Sequence, residues 1–116
     1  MDSRDTDLTM ATRRQGDVLI LSLAGELDMA TVPKFEEAIE RVLGRSPIAV
    51  DLRGLAFIDS QGVKALLQAF KAGQDCHSTV LFFRGPDNVQ RVLELTGVEE
   101  LLGWSVPPAE PPEDSS

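Results

Sequence analysis

The stretch Asp51–Gly62, DLRGLAFIDSQG, decides the fold of this chain. A short apolar strand is predicted to lead into it over Ile48–Leu52. The residues that follow repeat apolar side chains at the i, i+3, i+4, i+7 spacing of one helix face: Val63, Leu66, Leu67 and Phe70. The stretch is therefore interpreted as a strand-to-helix connection. Within it, the apolar residues Leu55 and Phe57 are predicted to anchor the connection to the core.

The polar end of this stretch lies where the helix is predicted to begin. Asp59 or Ser60 can cap the first turn through a side-chain oxygen, because Asp and Ser are both preferred at the N-cap. Gly62 has no side chain, so we expect it to leave the helix start open to close approach by another molecule. Taken alone, these residues indicate a capped helix and no more.

The whole stretch closely resembles the signature of STAS domains, in particular that of the bacterial anti-sigma-factor antagonists. In that family the string ends in Asp-Ser-x-Gly, and its serine is phosphorylated by a cognate anti-sigma kinase. The matching residue here is Ser60. A second family element, Gly-x-Leu-Asp, is matched by GELD at Gly25–Asp28. The resemblance extends over roughly residues 8 to 102.

Length and charge limit the function classes. A chain of 116 residues suits a single domain. Its formal net charge of −8 argues against a nucleic-acid partner, which normally meets a basic patch, and against docking on an anionic membrane surface. The sequence shows neither an N-terminal apolar signal region nor a run of about twenty apolar residues, so we expect a cytoplasmic protein with no membrane contact.

The rest of the chain alternates predicted strands and helices. These elements are, in order, strands at Leu8–Arg13 and Val18–Leu23 joined as a hairpin, a helix from Asp28 or Thr31 to Gly44, a strand at Ile48–Leu52, a helix from Asp59 or Ser60 to near Gly73, a strand at Val80–Phe83, a third helix stopped by Gly97, and a short helical piece at Val98–Leu102. The predicted fold is one α/β domain of STAS type, a mixed sheet with an edge hairpin and parallel strands joined by helices. Residues 8–104 are assigned to this domain, 1–7 to a flexible N-terminus and 105–116 to a disordered, proline-rich acidic tail.

The loops that follow parallel strands share one edge of a sheet, where open α/β folds place their sites. Here those loops are predicted at Gly25–Asp28, Gly54–Ser60 and Arg84–Asp87. We therefore expect the two family elements to meet in space. Asp28 itself is interpreted either as a helix cap or as a functional residue.

The resemblance implies a partner-switching regulator. When unphosphorylated, such a protein binds an anti-sigma factor of the histidine-kinase-like ATPase fold and frees a sigma factor. The kinase phosphorylates the serine, and a metal-dependent serine phosphatase resets it. We expect a monomer or a weak dimer whose partner-binding residues are Asp28, Asp59, Ser60, Gln61, Gly62 and Lys64. Lys64 departs from the family, which often has a small or apolar residue there, so it can alter partner choice or attract the phosphate.

Two other function classes compete with this interpretation. An enzyme with Ser60 as nucleophile would need a Gly-x-Ser-x-Gly elbow, but Ile58 stands where its first glycine belongs. The only histidine, His77, directly follows Cys76, and adjacency in sequence does not make a catalytic pair. We therefore expect no enzymatic activity, no metal and no cofactor. The remaining alternative is a STAS subunit of another assembly, such as a lipid-transport accessory protein or the cytoplasmic domain of a transporter.

Overall fold

The structure is a computed structural model that describes residues 7–108. Within that range its elements are, in chain order, β1 (Leu8–Gln15), β2 (Val18–Leu27), α1 (Val32–Val42), β3 (Ile48–Ile58), α2 (Ser60–Asp75), β4 (Val80–Phe83), α3 (Asp87–Leu95) and β5 (Trp104–Ser105). The α/β class predicted from the sequence is confirmed. None of the helices between residues 7 and 108 has the length and apolar character needed to cross a membrane.

The described strands form one five-stranded sheet in the order β1-β2-β3-β4-β5. β1 and β2 are antiparallel, while β3, β4 and β5 each run parallel to the strand before them. The predicted edge hairpin and the predicted mixed sheet are therefore confirmed. The short strand β5 was not predicted, because its two residues give no periodic pattern.

The main core lies between the helices and one face of the sheet. Each helix places apolar residues in it at the spacing of one helix face: Phe35 and Ile39 from α1, Val63 and Leu66 from α2, and Val89 and Leu93 from α3. They pack against alternate residues of the central strands, such as Val50 and Phe82. The opposite face of the sheet carries a smaller buried cluster of Ile20, Ala49 and Phe83.

Both β2 and β3 extend further than the sequence predicted. The predicted strand ends were Leu23 and Leu52, whereas the observed ends are Leu27 and Ile58. The added segments pair with each other through two register shifts of the kind that β-bulges produce. Gly25 and Gly54 are the first residues of two predicted loops, but both lie in paired strands.

The longer β3 changes the role of one predicted anchor. Leu55 is buried, as predicted, but Phe57 is 46% exposed. Phe57 pairs with Glu26, one register step from the pair Leu27 and Ile58, whose side chains are buried in the main core. Because neighbouring residues of a strand point to opposite faces, Phe57 points away from that core. The prediction that it anchors the connection is therefore wrong.

The C-terminal part of the described chain also differs from the prediction. Residues 98–102 contain turns instead of a short helical piece, and Leu101 is exposed. Ser105, assigned to the tail, lies in β5, and Val106 and Pro108 line a cavity of about 230 Å³ together with Ile20 of the second cluster. At the other end, the carbonyl oxygen of Asp7 accepts the Glu26 amide hydrogen (3.2 Å). The other residues of the predicted flexible ends, 1–6 and 109–116, lie outside the described range.

Candidate functional site

The ends of β2 and β3 lie side by side at one edge of the sheet. Leu27 pairs with Ile58, and the Asp59 amide N–H donates to the Leu27 carbonyl oxygen (3.2 Å). The start of α3 joins the same edge, since the side-chain amide of Asn88 donates to the Ala56 carbonyl oxygen (2.9 Å). The two family elements therefore meet in space, as the sequence predicted.

Asp59 connects the two elements through its carboxylate. One oxygen, Oδ1, accepts the Gly62 amide hydrogen (2.9 Å) and so caps α2. The other, Oδ2, accepts the Met29 amide hydrogen (3.1 Å) from the connection that follows β2. Of the two capping candidates, Asp59 and Ser60, it is thus Asp59 that caps the helix. This leaves Ser60 as the first residue of α2.

Gly62 is buried beneath the end of β2. A Cβ atom at this position would lie 2.3 Å from the Leu27 carbonyl oxygen and 2.8 Å from Cγ1 of Ile58. The interpretation that Gly62 leaves the helix start open to another molecule is wrong, because the chain itself fills that space. The glycine instead allows α2 to begin in contact with the neighbouring strand.

Asp28 holds the connection between β2 and α1. Its Oδ1 accepts the amide hydrogens of Ala30 (3.0 Å) and Thr31 (3.1 Å). The hydroxyl of Thr31 accepts the Asp28 amide hydrogen (3.0 Å) and donates to the Glu26 carbonyl oxygen (2.8 Å). Of the two predicted caps, Thr31 lies at the N-cap position of α1, but neither side chain makes a capping hydrogen bond to the helix; the two residues bond each other within the connection. Thr31 is also buried, which no pattern in the sequence had indicated.

Ser60, Gln61 and Lys64 are exposed on the first turn of α2 and just beyond it. Within residues 7–108, no hydrogen bond is formed by the Ser60 hydroxyl and no ion pair by the Lys64 ammonium group. Lys64 lies four residues after Ser60, a spacing at which helix side chains are neighbours. The site thus presents a free hydroxyl with a cation one turn along the helix.

Sequence reasoning missed one surface feature of this site. Met29 follows the Gly25–Asp28 element directly and is 72% exposed, although its amide is held by Asp59. The available signal was that Met29 precedes α1 and lies outside its apolar repeat, whose buried members are Phe35 and Ile39. A large apolar residue outside any inward-facing pattern is a candidate for the surface.

A third aspartate, Asp51, is buried in β3 and belongs to the structural part of the molecule. Its carboxylate receives two hydrogen bonds from the Arg53 guanidinium (3.0 and 2.9 Å) and one from the Arg53 amide (3.0 Å). Burial raises the pKa of Asp51, but these hydrogen bonds and the positive charge of Arg53 outweigh it and hold the pKa below the usual 3.8. Arg53 also lies over the Phe83 ring (5.9 Å to its centroid). These contacts give Asp51 a structural role.

The residues considered for catalysis are not assembled into a site. Cys76 is exposed at the C-terminal end of α2, and His77, exposed beside it, has a positive φ of 57°. No group of three or more potential metal ligands among His, Cys, Asp and Glu occurs within residues 7–108.

Comparisons with known proteins agree on one family. The family model described as STAS domain matches residues 9–111. The anti-sigma-B factor antagonist of Listeria monocytogenes is 31% identical over 91 residues, 77% of this chain and 80% of the relative. That of Staphylococcus aureus is 29% identical over 98 residues, 83% of this chain and 91% of the relative. The crystal structure of an anti-sigma factor antagonist from Mycobacterium paratuberculosis matches with a TM-score of 0.77 at 27% identity, covering 91% of each chain.

Proposed function

This chain belongs to the STAS domain family, and we propose that it is an anti-sigma factor antagonist switched by phosphorylation of Ser60. In the unphosphorylated state it binds an anti-sigma factor kinase of the histidine-kinase-like ATPase fold in the cytoplasm, and a sigma factor is released. The kinase transfers phosphate to Ser60, and a serine phosphatase removes it. The chain itself carries out no catalytic step.

The observation that carries this proposal is the exposed, unengaged hydroxyl of Ser60 at the edge where the two family elements meet. A kinase can reach this hydroxyl without moving any part of the described chain. The backbone around it is held from both sides, since the Asp59 carboxylate binds Gly62 in α2 and Met29 after β2. The same surface can therefore serve both as the docking site and as the phosphoacceptor.

Phosphorylation adds about −1.5 to −2 charges and three acceptor oxygens at Ser60. The start of α2 tolerates an anion, because free amides and the helix dipole are favourable there by about 1 kcal/mol. The neighbouring carboxylate of Asp59 opposes it. These two effects on the chain itself are modest and of opposite sign, so the fold is expected to persist after phosphorylation.

At an interface the balance is different. A partner packed over Ser60 meets both the bulk and the charge of the phosphate, and burying an unpaired charge costs several kcal/mol. Since about 1.4 kcal/mol changes affinity tenfold, this term is sufficient to switch binding off. The switch requires no refolding of the antagonist.

The six predicted partner-binding residues separate into two groups. The side chains of Ser60, Gln61 and Lys64 are exposed and available for direct contact. The other three, Asp28, Asp59 and Gly62, are engaged with the chain's own backbone. We propose that the first group contacts the partner and that the second keeps the contact surface in place.

The test is phosphorylation and binding with the anti-sigma factor kinases of the same genome. With ATP and the cognate kinase, mass spectrometry is expected to find one phosphate, located at Ser60. The Ser60→Ala variant should take up none and should still bind the kinase, whereas phosphorylated protein should bind at least about tenfold more weakly. Ser78→Ala, beyond the far end of α2, is the matched control and should behave as the unmodified chain. Stoichiometric phosphate on the Ser60→Ala variant would refute the assignment.

A further inference from the structure

The surface beside Ser60 carries a large apolar side chain that the phosphorylation switch does not itself require. Large apolar side chains with high exposure within residues 7–108 are Met29 (72%), Phe57 (46%), Leu95 (75%), Leu101 (55%) and Val106 (84%). Met29 is the one that follows the Gly25–Asp28 element and is joined by a hydrogen bond to the residue preceding Ser60. Single exposed apolar side chains are common on protein surfaces, so what distinguishes Met29 is its place next to Asp59 and Ser60 and not its exposure alone.

The backbone that presents Met29 is held on both sides. Its own amide donates to Oδ2 of Asp59 (3.1 Å). The next two amides, of Ala30 and Thr31, donate to Oδ1 of Asp28 (3.0 and 3.1 Å). A side chain on a backbone fixed in this way loses less conformational entropy on binding than one on a free loop, and preorganisation of this kind strengthens association.

We propose that Met29 is an apolar anchor that inserts into an apolar pocket of the anti-sigma factor kinase, beside the surface that receives Ser60. This inference rests on the proposed function, because it takes the kinase as the partner. Methionine suits the role, since its flexible, polarisable side chain fills irregular pockets and it is enriched at protein interfaces.

The position of Met29 places it inside any footprint that includes Ser60. Phosphoryl transfer requires the donor phosphate to approach the Ser60 hydroxyl to about 3–3.5 Å. A specific interface covers about 800 Å² on each partner, which is a patch tens of ångströms across. Met29 is one hydrogen bond away from Asp59, the neighbour of Ser60. A kinase engaged with Ser60 therefore covers Met29, and a pocket for it removes exposed apolar surface from water.

The proposal predicts that substitutions at Met29 weaken binding to the kinase and leave the stability of the domain nearly unchanged. Met29→Ser removes the apolar side chain while keeping the backbone amide that donates to Asp59. Met29→Gln keeps the length and flexibility of the side chain but makes its end polar. The matched control is Leu95→Ser, because Leu95 is 75% exposed at the last residue of α3. About seven residues of helix, roughly 10 Å, separate Leu95 from Asn88, which lies at the sheet edge where the two family elements meet.

The experiment is titration calorimetry of each unphosphorylated variant against the cognate anti-sigma factor kinase with ADP. Both Met29 variants are expected to bind about tenfold or more weakly, as for a hot-spot residue. They should melt within a few degrees of the unmodified chain. Leu95→Ser is expected to bind within about twofold of it. The proposal would be overturned if the Met29 variants bound as tightly as the unmodified chain, or if Leu95→Ser lost as much affinity as the Met29 variants do.

A failure of the anchor is distinguishable from a failure of the proposed function. If the unmodified chain is phosphorylated at Ser60 and binds the kinase while both Met29 variants bind equally well, only the anchor is wrong. If the unmodified chain neither binds nor is phosphorylated by any of these kinases, the proposed function fails and the anchor fails with it. Should one Met29 variant not fold, the other decides the outcome.

Discussion

The two strand-to-helix connections at the edge where the family elements meet use the same residue type in different ways. Each begins with an aspartate, Asp28 after β2 and Asp59 after β3, and each carboxylate accepts two backbone amide hydrogens. The bonds of Asp28 stay within its own connection, at Ala30 and Thr31. Those of Asp59 divide between its own helix and the other connection. Asp28 therefore shapes one turn, whereas Asp59 fixes the two family elements relative to each other.

The two connections also differ in length. Four residues, 28–31, lie between β2 and α1, but Asp59 alone lies between β3 and α2. A connection of one residue leaves no freedom to move the helix away from the neighbouring strand. This is why the second helix can begin only with a glycine at position 62, and why Ser60 is held directly at the edge of the sheet. The tight connection is the one in which substitutions should have the larger effects.

The largest effect is expected from Gly62→Ala. The added methyl group would lie 2.3 Å from the Leu27 carbonyl oxygen, and the backbone on both sides is paired and cannot easily shift. We expect the free energy of unfolding to fall by about 3 kcal/mol, the upper part of the range for overpacking. Urea unfolding followed by circular dichroism measures it. Gln61→Ala, exposed at the next position, is the control and should change stability by less than about 0.5 kcal/mol. Equal stability of the two variants would show that the backbone around the one-residue connection can shift to accommodate the methyl group.

The next effect is expected from Asp59→Ala, which removes the acceptor for the Gly62 and Met29 amides. Loss of an N-cap carboxylate costs about 1–2 kcal/mol. The effects of Asp59→Ala should extend beyond its own connection. Amide shifts and hydrogen exchange should change at Met29 as well as at Gly62, although these residues belong to different connections. A change restricted to α2 would contradict the conclusion that Asp59 ties the two elements together.

Asp28→Ala should have a smaller and more local effect. Two amides lose their acceptor, but the Thr31 hydroxyl still binds the amide at position 28 and the Glu26 carbonyl oxygen. We expect a loss of about 1 kcal/mol, the usual cost of leaving amide donors without their acceptor, with amide shift changes confined to the segment between β2 and α1. Shifts at Gly62 as large as those of the Asp59 variant would remove the distinction between the two aspartates.

The sequence predicted the elements well where periodicity was strong. The inward faces of the three helices, the edge hairpin and the buried strand at Val80–Phe83 all follow from apolar spacing, and the structure confirms them. The ends of β2 and β3 could not be predicted in this way. Their continuation depends on pairing across Gly25 and Gly54, residues that are typical of loops in a single sequence. Pairing is a property of two segments, so neither segment shows it alone.

The meeting of the two family elements was predicted, but the detailed contacts there were not. The meeting of the two elements followed from parallel strand topology. Which residue caps α2 did not, because Asp59 and Ser60 are both good caps and only the geometry selects one. The true role of Gly62 was hidden for a similar reason, since the absence of a side chain suits both an open surface and a close contact. The assignment of phosphorylation and of partner contacts stays a prediction.

The smallest effect concerns Asp51, which differs from Asp28 and Asp59 because a side-chain cation, the guanidinium of Arg53, binds it in addition to a backbone amide. Burial alone would raise the pKa of this carboxyl, but hydrogen bonds and charge from Arg53 outweigh burial and hold the pKa below 3.8. The unfolded chain therefore binds its proton at higher pH than the folded chain does. It follows that the stabilisation by this pair is fully present above about pH 4 and is lost as the pH falls through the lower pKa of the folded state. Because Arg53 is about half exposed (46%), solvent screening keeps the effect small.

Urea unfolding at several values between about pH 6 and 2.5 should show a shallower acid dependence for Asp51→Asn than for the unmodified chain. Asp75→Asn, at the exposed end of α2, removes one negative charge without removing this pair and serves as the control. If Asp51→Asn and the unmodified chain lose stability in parallel as the pH falls, the ion pair contributes nothing measurable, and the cation that distinguishes Asp51 from Asp28 and Asp59 has no effect on stability.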